Sequence, residues 1–167
     1  QVIAQTLAAL PPAAREMVAT DATPTVAVHA DIARLRQVLV NLLNNAFRYG
    51  RNRILLAVRE VDGWARFQIH DNGPGIPKKY ESAIWERFER GAHRYDSRTP
   101  GSGIGLPIAR ALVEAHGGTI HQHRSEVLGG ACFEFTIPLA AKAGNSAAGH
   151  AASPTPVLAG AGTRRAR

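Results

Sequence analysis

Three groups of side chains in this sequence have the types and spacing needed to hold a polar ligand. The first is a pair of amides, Asn41 and Asn45, four residues apart in a segment with helical periodicity, so both lie on one helix face. Asn is a poor helix former because its amide competes for the backbone. The pair therefore faces either solvent, as in an ordinary amphipathic helix, or a polar ligand or hydrated metal ion.

The second group is Asp71, which ends a strand-like run and is followed by Gly73 and Gly75. Asp-Asn-Gly readily forms a turn in which the carboxylate accepts a backbone hydrogen bond. The same residues also suit a buried carboxylate that accepts a hydrogen bond from a ligand amino group, because the glycines permit close approach. Both interpretations stay open at this point.

The third group is the glycine-rich loop that runs from Gly101 to Leu106 and opens a predicted helix. Glycines let backbone N–H groups approach phosphate oxygens, and the helix dipole favours negative charge there. A plain turn has the same composition. No Lys-Ser/Thr pair follows, which excludes a Walker loop, and the strand–turn–helix unit of a dinucleotide fingerprint is missing.

Periodicity and turn residues predict the elements that position these groups. The longest is a helix from about Asp31 to Tyr49, with Asp31 as N-cap and Leu35, Leu39, Leu42 and Leu43 on its apolar side. The others are a helix over residues 2–18 interrupted at Pro11-Pro12, a β-prone run at 23–29, strands at 53–61 and 64–70 joined by Asp62-Gly63, a helix at 104–115, and strands at 119–123 and 131–137.

Two segments fall outside this regular pattern. The segment from about residue 77 to residue 102 is rich in charged residues and forms a long connection, which is typical of a lid or binding loop. Four arginines lie there and are partly neutralised by acidic neighbours: Arg87, Arg90, Arg94 and Arg98. Residues 141–167 are rich in Ala, Gly, Ser and Pro without periodicity, which predicts a disordered, basic tail. The domain is therefore expected to span residues 1–140.

Composition limits the class of protein. A chain of 167 residues with 45% hydrophobic content suits one domain with a real core. The net charge of +7 indicates a phosphate-bearing partner or a basic tail. The single cysteine, Cys132, excludes an intramolecular disulfide and favours a reducing compartment. No signal peptide or membrane-spanning run is present, and the start at Gln1 rather than Met suggests a piece of a longer protein.

Taken together and in this order, the motifs closely resemble the catalytic ATP-binding domain of bacterial two-component sensor histidine kinases, in the gyrase, chaperone, kinase and mismatch-repair ATPase superfamily. An N box runs from Asn41 to Tyr49, and a first glycine box from Asp71 to Ile76. An F box from Trp85 to Arg90 and a second glycine box from Gly101 to Leu106 follow. Trp85 stands where the F box usually has Phe, and Pro107 replaces the usual small residue after the second glycine box.

The resemblance implies a fold and a role for each matching residue. The fold would be an α/β two-layer sandwich of the Bergerat type, with a mixed sheet of about five strands, three helices on one face and a lid. Asp71 would accept from the adenine amino group, and Asn45 would bind Mg²⁺. Arg90 or Arg94 would meet the terminal phosphate, and Phe88 would pack the lid down. The remaining nucleotide contacts would come from Asn41, Arg48, Tyr49, Gly73, Gly75, Ile76, Gly101, Ser102, Gly103, Ile104, Gly105 and Leu106.

The implied reaction is transfer of the ATP γ-phosphoryl group to a histidine on a separate dimerisation and phosphoacceptor domain, then onward to a response regulator. None of the seven histidines has the His-Glu/Asp-x-x-x-Pro context of an acceptor, so the acceptor is expected elsewhere. His121 and His123 are expected to be plain strand residues. The whole protein would be an inner-membrane sensor, with this portion in the cytoplasm.

Other functions compete with this one. The superfamily's hydrolases carry a water-polarising Glu four residues before the metal-binding Asn, and here that position is Asn41, which cannot accept a proton near neutral pH. This argues against a gyrase-like or mismatch-repair ATPase and against an anti-sigma serine kinase. A module that binds nucleotide only as a regulatory ligand remains the main alternative. Nucleic-acid binding rests on the net charge of +7 and the Arg-rich terminus, without a recognition motif.

Overall fold

The computed structural model describes residues 1–22, 26–86 and 103–140. In chain order the helices and strands are α1 (Val2–Ala8), α2 (Pro12–Glu16), β1 (Val18–Ala22), α3 (Ile32–Tyr49), β2 (Ile54–Val61), β3 (Trp64–Asp71), α4 (Gly105–Ala115), β4 (Ile120–Arg124) and β5 (Ala131–Pro138). Two short 3₁₀ turns, Lys78–Tyr80 and Ala83–Trp85, precede α4.

The five strands form one mixed sheet in the order β1-β2-β3-β5-β4. β1 pairs with β2 in parallel, and the other three pairs are antiparallel. The hairpin between β2 and β3 turns at Asp62 and Gly63, both with positive φ, as the Asp-Gly signal predicts. The predicted mixed sheet of about five strands is confirmed.

One face of the sheet carries the core. Alternate residues of β3 and β5 are buried there, and the rings of Phe67 and Phe135 stack with centroids 4.6 Å apart. The apolar side of α3 packs over this face, and α4 packs beside α3. The opposite face is polar, with Gln68 donating to Glu134 at 2.7 Å. The sandwich thus has two layers, with its helices on one side, as expected.

Helix α3 begins where the sequence predicts it. The Asp31 carboxylate accepts hydrogen bonds from the backbone N–H groups of Ala33 and Arg34 at 2.9 and 3.1 Å, and these bonds hold the pKa of Asp31 below its ordinary value. Nε2 of His116, at the end of α4, accepts from the Asp31 backbone N–H at 3.1 Å, which ties the two helices together.

The N-terminal strand lies elsewhere than predicted. The interruption predicted at Pro11-Pro12 is observed, since α1 ends at Ala8 and α2 starts at Pro12. However, α2 ends at Glu16, and the strand that follows is Val18–Ala22 rather than residues 23–29. Residues 23–25 lie outside the described part, and Val28 forms only an isolated bridge to Leu139. Val18–Ala22 is a strand because β2 offers it a free edge to pair with, a tertiary interaction that local propensity does not reveal.

Within the described ranges, no helix is both long enough and apolar enough to cross a membrane.

Candidate functional site

The first part of the site lies where α3 faces the start of α4. A Cβ atom placed on Gly105 would lie 3.9 Å from the side chain of Asn41, so this amide sits beside the first residue of α4. Among the described residues, no side-chain hydrogen bond caps that helix N-terminus, where Ile104 is the N-cap residue. The Asn41 Nδ2 group is buried and has no hydrogen-bond partner among the described residues. A buried amide donor without a partner is costly, so it predicts an acceptor supplied by a ligand.

Asn45, Arg48 and Tyr49 continue this side of α3 towards its C-terminus. Asn45 follows Asn41 by four residues and is half-buried, whereas Arg48 is exposed. The Arg48 guanidinium lies 6.0 Å from the centroid of the Tyr49 ring. In chain order, α3 thus carries two amides, then a cation and an aromatic ring.

The second part of the site is Asp71, at the end of β3 and only 3% exposed. Its Oδ1 accepts hydrogen bonds from the N–H groups of Gly73 at 2.8 Å and Ala131 at 3.1 Å. The backbone oxygen of Asp71 accepts from Gly130 N–H at 3.1 Å. Within the described residues, every hydrogen bond to the carboxylate ends on Oδ1, which leaves Oδ2 as an acceptor for a ligand. The turn interpretation of Asp71 is therefore correct, and it is compatible with the ligand interpretation.

Two glycines allow the chain to close around this carboxylate. A Cβ on Gly73 would lie 3.0 Å from Asp71 Oδ1, and a Cβ on Gly130 would lie 2.6 Å from the backbone nitrogen of Gly73. Real Cβ atoms do not approach so closely without displacement of their neighbours. Gly130 looks like a plain turn residue in the sequence, and its contact with Asp71 appears only when β3 and β5 are paired.

Two further residues at this end of the sheet, Asn72 and Arg124, are not among the predicted site residues. Asn72 Oδ1 accepts hydrogen bonds from three successive N–H groups, those of residues 51–53, at 3.1–3.3 Å and so fixes the loop after α3. Arg124 pairs with Ala131 on the core face, and a Cβ on Gly75 would lie 3.6 Å from its Nη1. Arg124 could have been recognised in the sequence, because it is a cation at a core-facing position of β4, where an apolar residue is usual.

The second glycine box and the lid are only partly described. Gly103, Ile104, Gly105 and Leu106 lie at the start of α4, as predicted. The remaining predicted residues of the lid and the second glycine box lie outside the described residues: Arg87, Phe88, Arg90, Arg94, Arg98, Gly101 and Ser102. The described stem of the lid includes Trp85, whose ring meets Phe133 edge-on with centroids 6.0 Å apart and lies 5.9 Å from the Arg110 guanidinium. An aromatic packing role for Trp85 is therefore observed.

Several titratable groups lie on the polar face of the sheet, opposite the face that carries Asp71. Burial raises the pKa of the Cys132 thiol to about 12, so the thiol stays protonated and is a poor nucleophile at neutral pH. His121 and His123 are exposed residues of β4, and His123 Nε2 lies 3.8 Å from Glu134. Across residues 1–22, 26–86 and 103–140, no three His, Cys, Asp or Glu side chains are grouped to hold a metal ion.

The amide pair of α3 does fit a magnesium ion that also contacts a nucleotide. Mg²⁺ is usually bound by one or two protein oxygens, with phosphates and waters completing its octahedron, so a dedicated acidic cluster is not required. The Asn45 side-chain oxygen is a suitable ligand. The unpartnered Asn41 Nδ2 is a donor, so it suits a phosphate oxygen or a metal-bound water rather than the ion itself.

A second concave region lies at the other end of α3. It is a pocket of about 530 Å³ that contains none of the predicted site residues and is lined by Val28, His29, Ala30, Asp31, Ala115, His116 and Ala140. Both ring nitrogens of His116 already have backbone partners there, Leu112 O at 2.6 Å and the Asp31 N–H. The His116 ring of this pocket is thus used to join α3 to α4.

Comparison with known proteins identifies the same region. Residues 30–141 match the family described as histidine kinase-, DNA gyrase B- and HSP90-like ATPase. The chain is 41% identical over 118 residues to sensor protein KdpD of Escherichia coli K12, covering 69% of this chain and 13% of KdpD. It is 42% identical over 115 residues to the adaptive-response sensory kinase SasA of Synechococcus sp. CC9902, covering 67% of this chain and 30% of SasA.

A solved structure agrees with these relatives. Full-length ShkA in complex with AMPPNP superposes with a TM-score of 0.70 at 32% identity, over 86% of this chain and 30% of that chain. The chain thus spans less than a third of the length of each of these three proteins. Its family match, its mixed sheet and its ordered motifs agree with one another. The chain belongs to the histidine kinase-, DNA gyrase B- and HSP90-like ATPases, and it is a catalytic ATP-binding domain of the sensor-histidine-kinase type.

Proposed function

We propose that this domain binds MgATP between α3 and α4 and donates the γ-phosphoryl group to a histidine on a separate dimerisation and phosphoacceptor domain. The observation that carries the proposal is the burial and the hydrogen bonding of the Asp71 carboxylate. It is a buried carboxylate with Oδ1 held by two backbone N–H groups and Oδ2 left to accept from the adenine amino group. Such an acceptor selects adenine over guanine, which has a carbonyl at that position.

The phosphates lie towards the N-terminus of α4. Backbone N–H groups there, the Asn41 amide donor and the Arg48 cation favour negative charge. Asn45 holds the magnesium ion, which neutralises charge on the phosphate oxygens when bound. Gly101 and Ser102 with the lid arginines Arg90 and Arg94 complete the phosphate site in this proposal.

Asn41 favours transfer to an external nucleophile over hydrolysis. Its amide cannot remove a proton from water near neutral pH, so the attacking water is not activated by this residue. The γ-phosphoryl group is then retained until a histidine from the acceptor domain reaches it. We expect the isolated domain to bind ATP and to hydrolyse it slowly.

The partners follow from the same reaction. They are the phosphoacceptor domain, and a response-regulator receiver domain that takes the phosphoryl group onward. Support comes from the relatives, which are named as sensor proteins and sensory kinases. We place the domain on the cytoplasmic side of an inner-membrane sensor, where ATP is available.

The role of Asn45 is tested by the magnesium dependence of ATP binding. We expect Mg²⁺ to tighten ATP binding to the wild-type chain relative to ATP with EDTA, and Asn45→Ala to lose most of that gain, because the amide oxygen that ligates the ion is gone. Isothermal titration gives both dissociation constants. Asn44→Ala is the matched control, because Asn44 is the exposed neighbour on the same helix.

A fully retained magnesium effect in Asn45→Ala would remove this residue from the metal site. Phosphotransfer itself is measured with γ-labelled ATP after the domain is fused to a phosphoacceptor hairpin. Label on the hairpin histidine is the expected result. Nucleotide binding with rapid release of free phosphate and no labelled histidine would indicate an ATPase, and binding with neither product would indicate a regulatory nucleotide module.

A further inference from the structure

A buried hydrogen-bond chain connects Asp71 to two polar residues on the opposite face of the sheet. His70 and Ser125 are 5% and 1% exposed, and His70 Nδ1 lies 3.1 Å from Ser125 Oγ. Ser125 Oγ already accepts a hydrogen bond from the Leu128 N–H at 2.9 Å. The Ser125 hydroxyl still has its proton to donate, and it donates to His70 Nδ1 in the tautomer in which that nitrogen is unprotonated.

Ser125 also closes the turn between β4 and β5. Its N–H donates to the Gly130 oxygen at 2.8 Å, and its own oxygen accepts from the Gly129 N–H at 2.9 Å. The same turn supplies the Gly130 and Ala131 N–H groups to Asp71. The path from His70 to Asp71 thus consists of Ser125, the turn, the Gly130 amide on the Asp71 backbone oxygen and the Ala131 amide on the carboxylate.

We propose that His70 and Ser125 are positioning residues for Asp71, and that protonation of His70 weakens adenine binding. This inference rests on the proposed adenine site. A proton on Nδ1 would place a second donor against Ser125 Oγ and leave the hydroxyl proton without its acceptor. The turn would then hold the Gly130 amide on the backbone oxygen of Asp71, and the Ala131 amide on Oδ1, less firmly.

The surroundings of His70 favour the neutral ring. Burial lowers the pKa of His70 below its ordinary value of 6.5, and the charge of His123 lowers it further, while Glu134 and Asp71 act in the opposite direction. On the adjacent strands the ring faces Cys132, whose Sγ lies 3.9 Å from Nε2, and Leu55. The native state thus binds the proton less readily than the unfolded chain, so stability is full above the ordinary pKa and falls as the pH decreases below it.

The test compares Ser125→Ala and His70→Asn with the wild-type chain. Asn places an acceptor near the position of Nδ1 and does not titrate. We expect Ser125→Ala to raise the dissociation constants of MgATP and MgADP by the same factor, about fivefold, because the loss of one hydrogen bond affects the base rather than the phosphates. His70→Asn should bind nearly as well as wild type at about pH 7.5.

The pH profile separates positioning from a general structural role. Between about pH 7.5 and about pH 5, a window that includes the ordinary histidine pKa, the affinity of wild type should fall relative to that of His70→Asn. His121→Gln, an exposed histidine on the same face, should follow the wild-type profile. Because the variants and the wild type are compared at the same pH, the effect of nucleotide phosphate titration on affinity cancels. Identical profiles for wild type and His70→Asn would overturn the pH dependence.

Amide hydrogen exchange tests the chain of contacts without nucleotide. In Ser125→Ala the amides of Gly130 and Ala131 should exchange faster, while the Thr136 amide, bonded to Thr119 at the other end of β5, should not change. Unchanged exchange would overturn the positioning role. A folded wild-type chain that does not bind MgATP would instead refute the proposed function, and the exchange result would still decide the role of Ser125. If Ser125→Ala fails to fold, His70→Asn carries the pH test.

Discussion

At the scale of single residues, Asp71 combines two properties that are usually separate. One carboxylate oxygen has a structural function, because it accepts two backbone N–H groups, and the other is available to a ligand. Sequence reasoning identifies Asp71 and both of its properties, since Asp-Asn-Gly signals the turn and its neighbours signal close approach. Gly130 and Ser125 are not identified as partners of this site, because strand pairing brings them to His70 and Asp71 from 55–60 positions away in the sequence.

Replacement of Gly130 tests how closely the chain must approach Asp71. In Gly130→Ala the new Cβ would lie 2.6 Å from the Gly73 nitrogen and would also contact Asp71, so the turn must move. We expect a loss of about 1–3 kcal/mol in the free energy of unfolding and a fall of about tenfold or more in ATP affinity. Urea denaturation and isothermal titration measure these two quantities.

The matched control for this change is Gly63→Ala. Gly63 has a φ of +81° and nothing within 4 Å of a Cβ, so alanine there strains the backbone without a collision. It lies at the far end of β3 from Asp71, so stability should fall while ATP affinity is unchanged. Equal affinity losses in both variants would show that the effect of Gly130→Ala comes from general destabilisation.

At the scale of elements, the sequence predicts the segments whose signals are local. Helix α3 shows a sustained apolar period and an N-cap, and the β2–β3 hairpin has Asp62-Gly63 at its turn, so their bounds are within about a residue of those observed. β1 is not predicted because its short polar sequence has weak β propensity and depends on the edge of β2. Local signals fail where tertiary pairing decides the structure.

Helix α3 should tolerate changes on its exposed side but not beneath the amide pair. Leu42 is fully buried next to Asn41, and Leu42→Ala should reduce the free energy of unfolding by about 2–5 kcal/mol, because it leaves a cavity in the core. Ile32, 53% exposed on the same helix, is the control, and Ile32→Ala should cost less than about 0.5 kcal/mol. Urea denaturation measures both, and similar values for the two variants would contradict this account of the core.

At the scale of the whole molecule, the fold brings together motifs that are far apart in the sequence. α3 supplies the amide pair, the end of β3 supplies Asp71, and the start of α4 supplies the second glycine box. The order of these motifs allowed the family to be inferred from the sequence, and the family match over residues 30–141 confirms it. The domain limit at residue 140, the basic tail and the lid arginines stay predictions.

The most direct test of the central claim is isothermal titration of the chain with MgATP, carried out beside Asp71→Asn and Asp62→Asn. Asp62 lies in the hairpin turn at the other end of β3 and controls for the change from carboxylate to amide. We expect the wild-type chain and Asp62→Asn to bind alike, and Asp71→Asn to bind about ten- to a hundredfold more weakly, because a hydrogen bond to a charged acceptor is lost. Equal binding by wild type and Asp71→Asn, or no binding by the folded wild-type chain, would contradict an adenine site at Asp71.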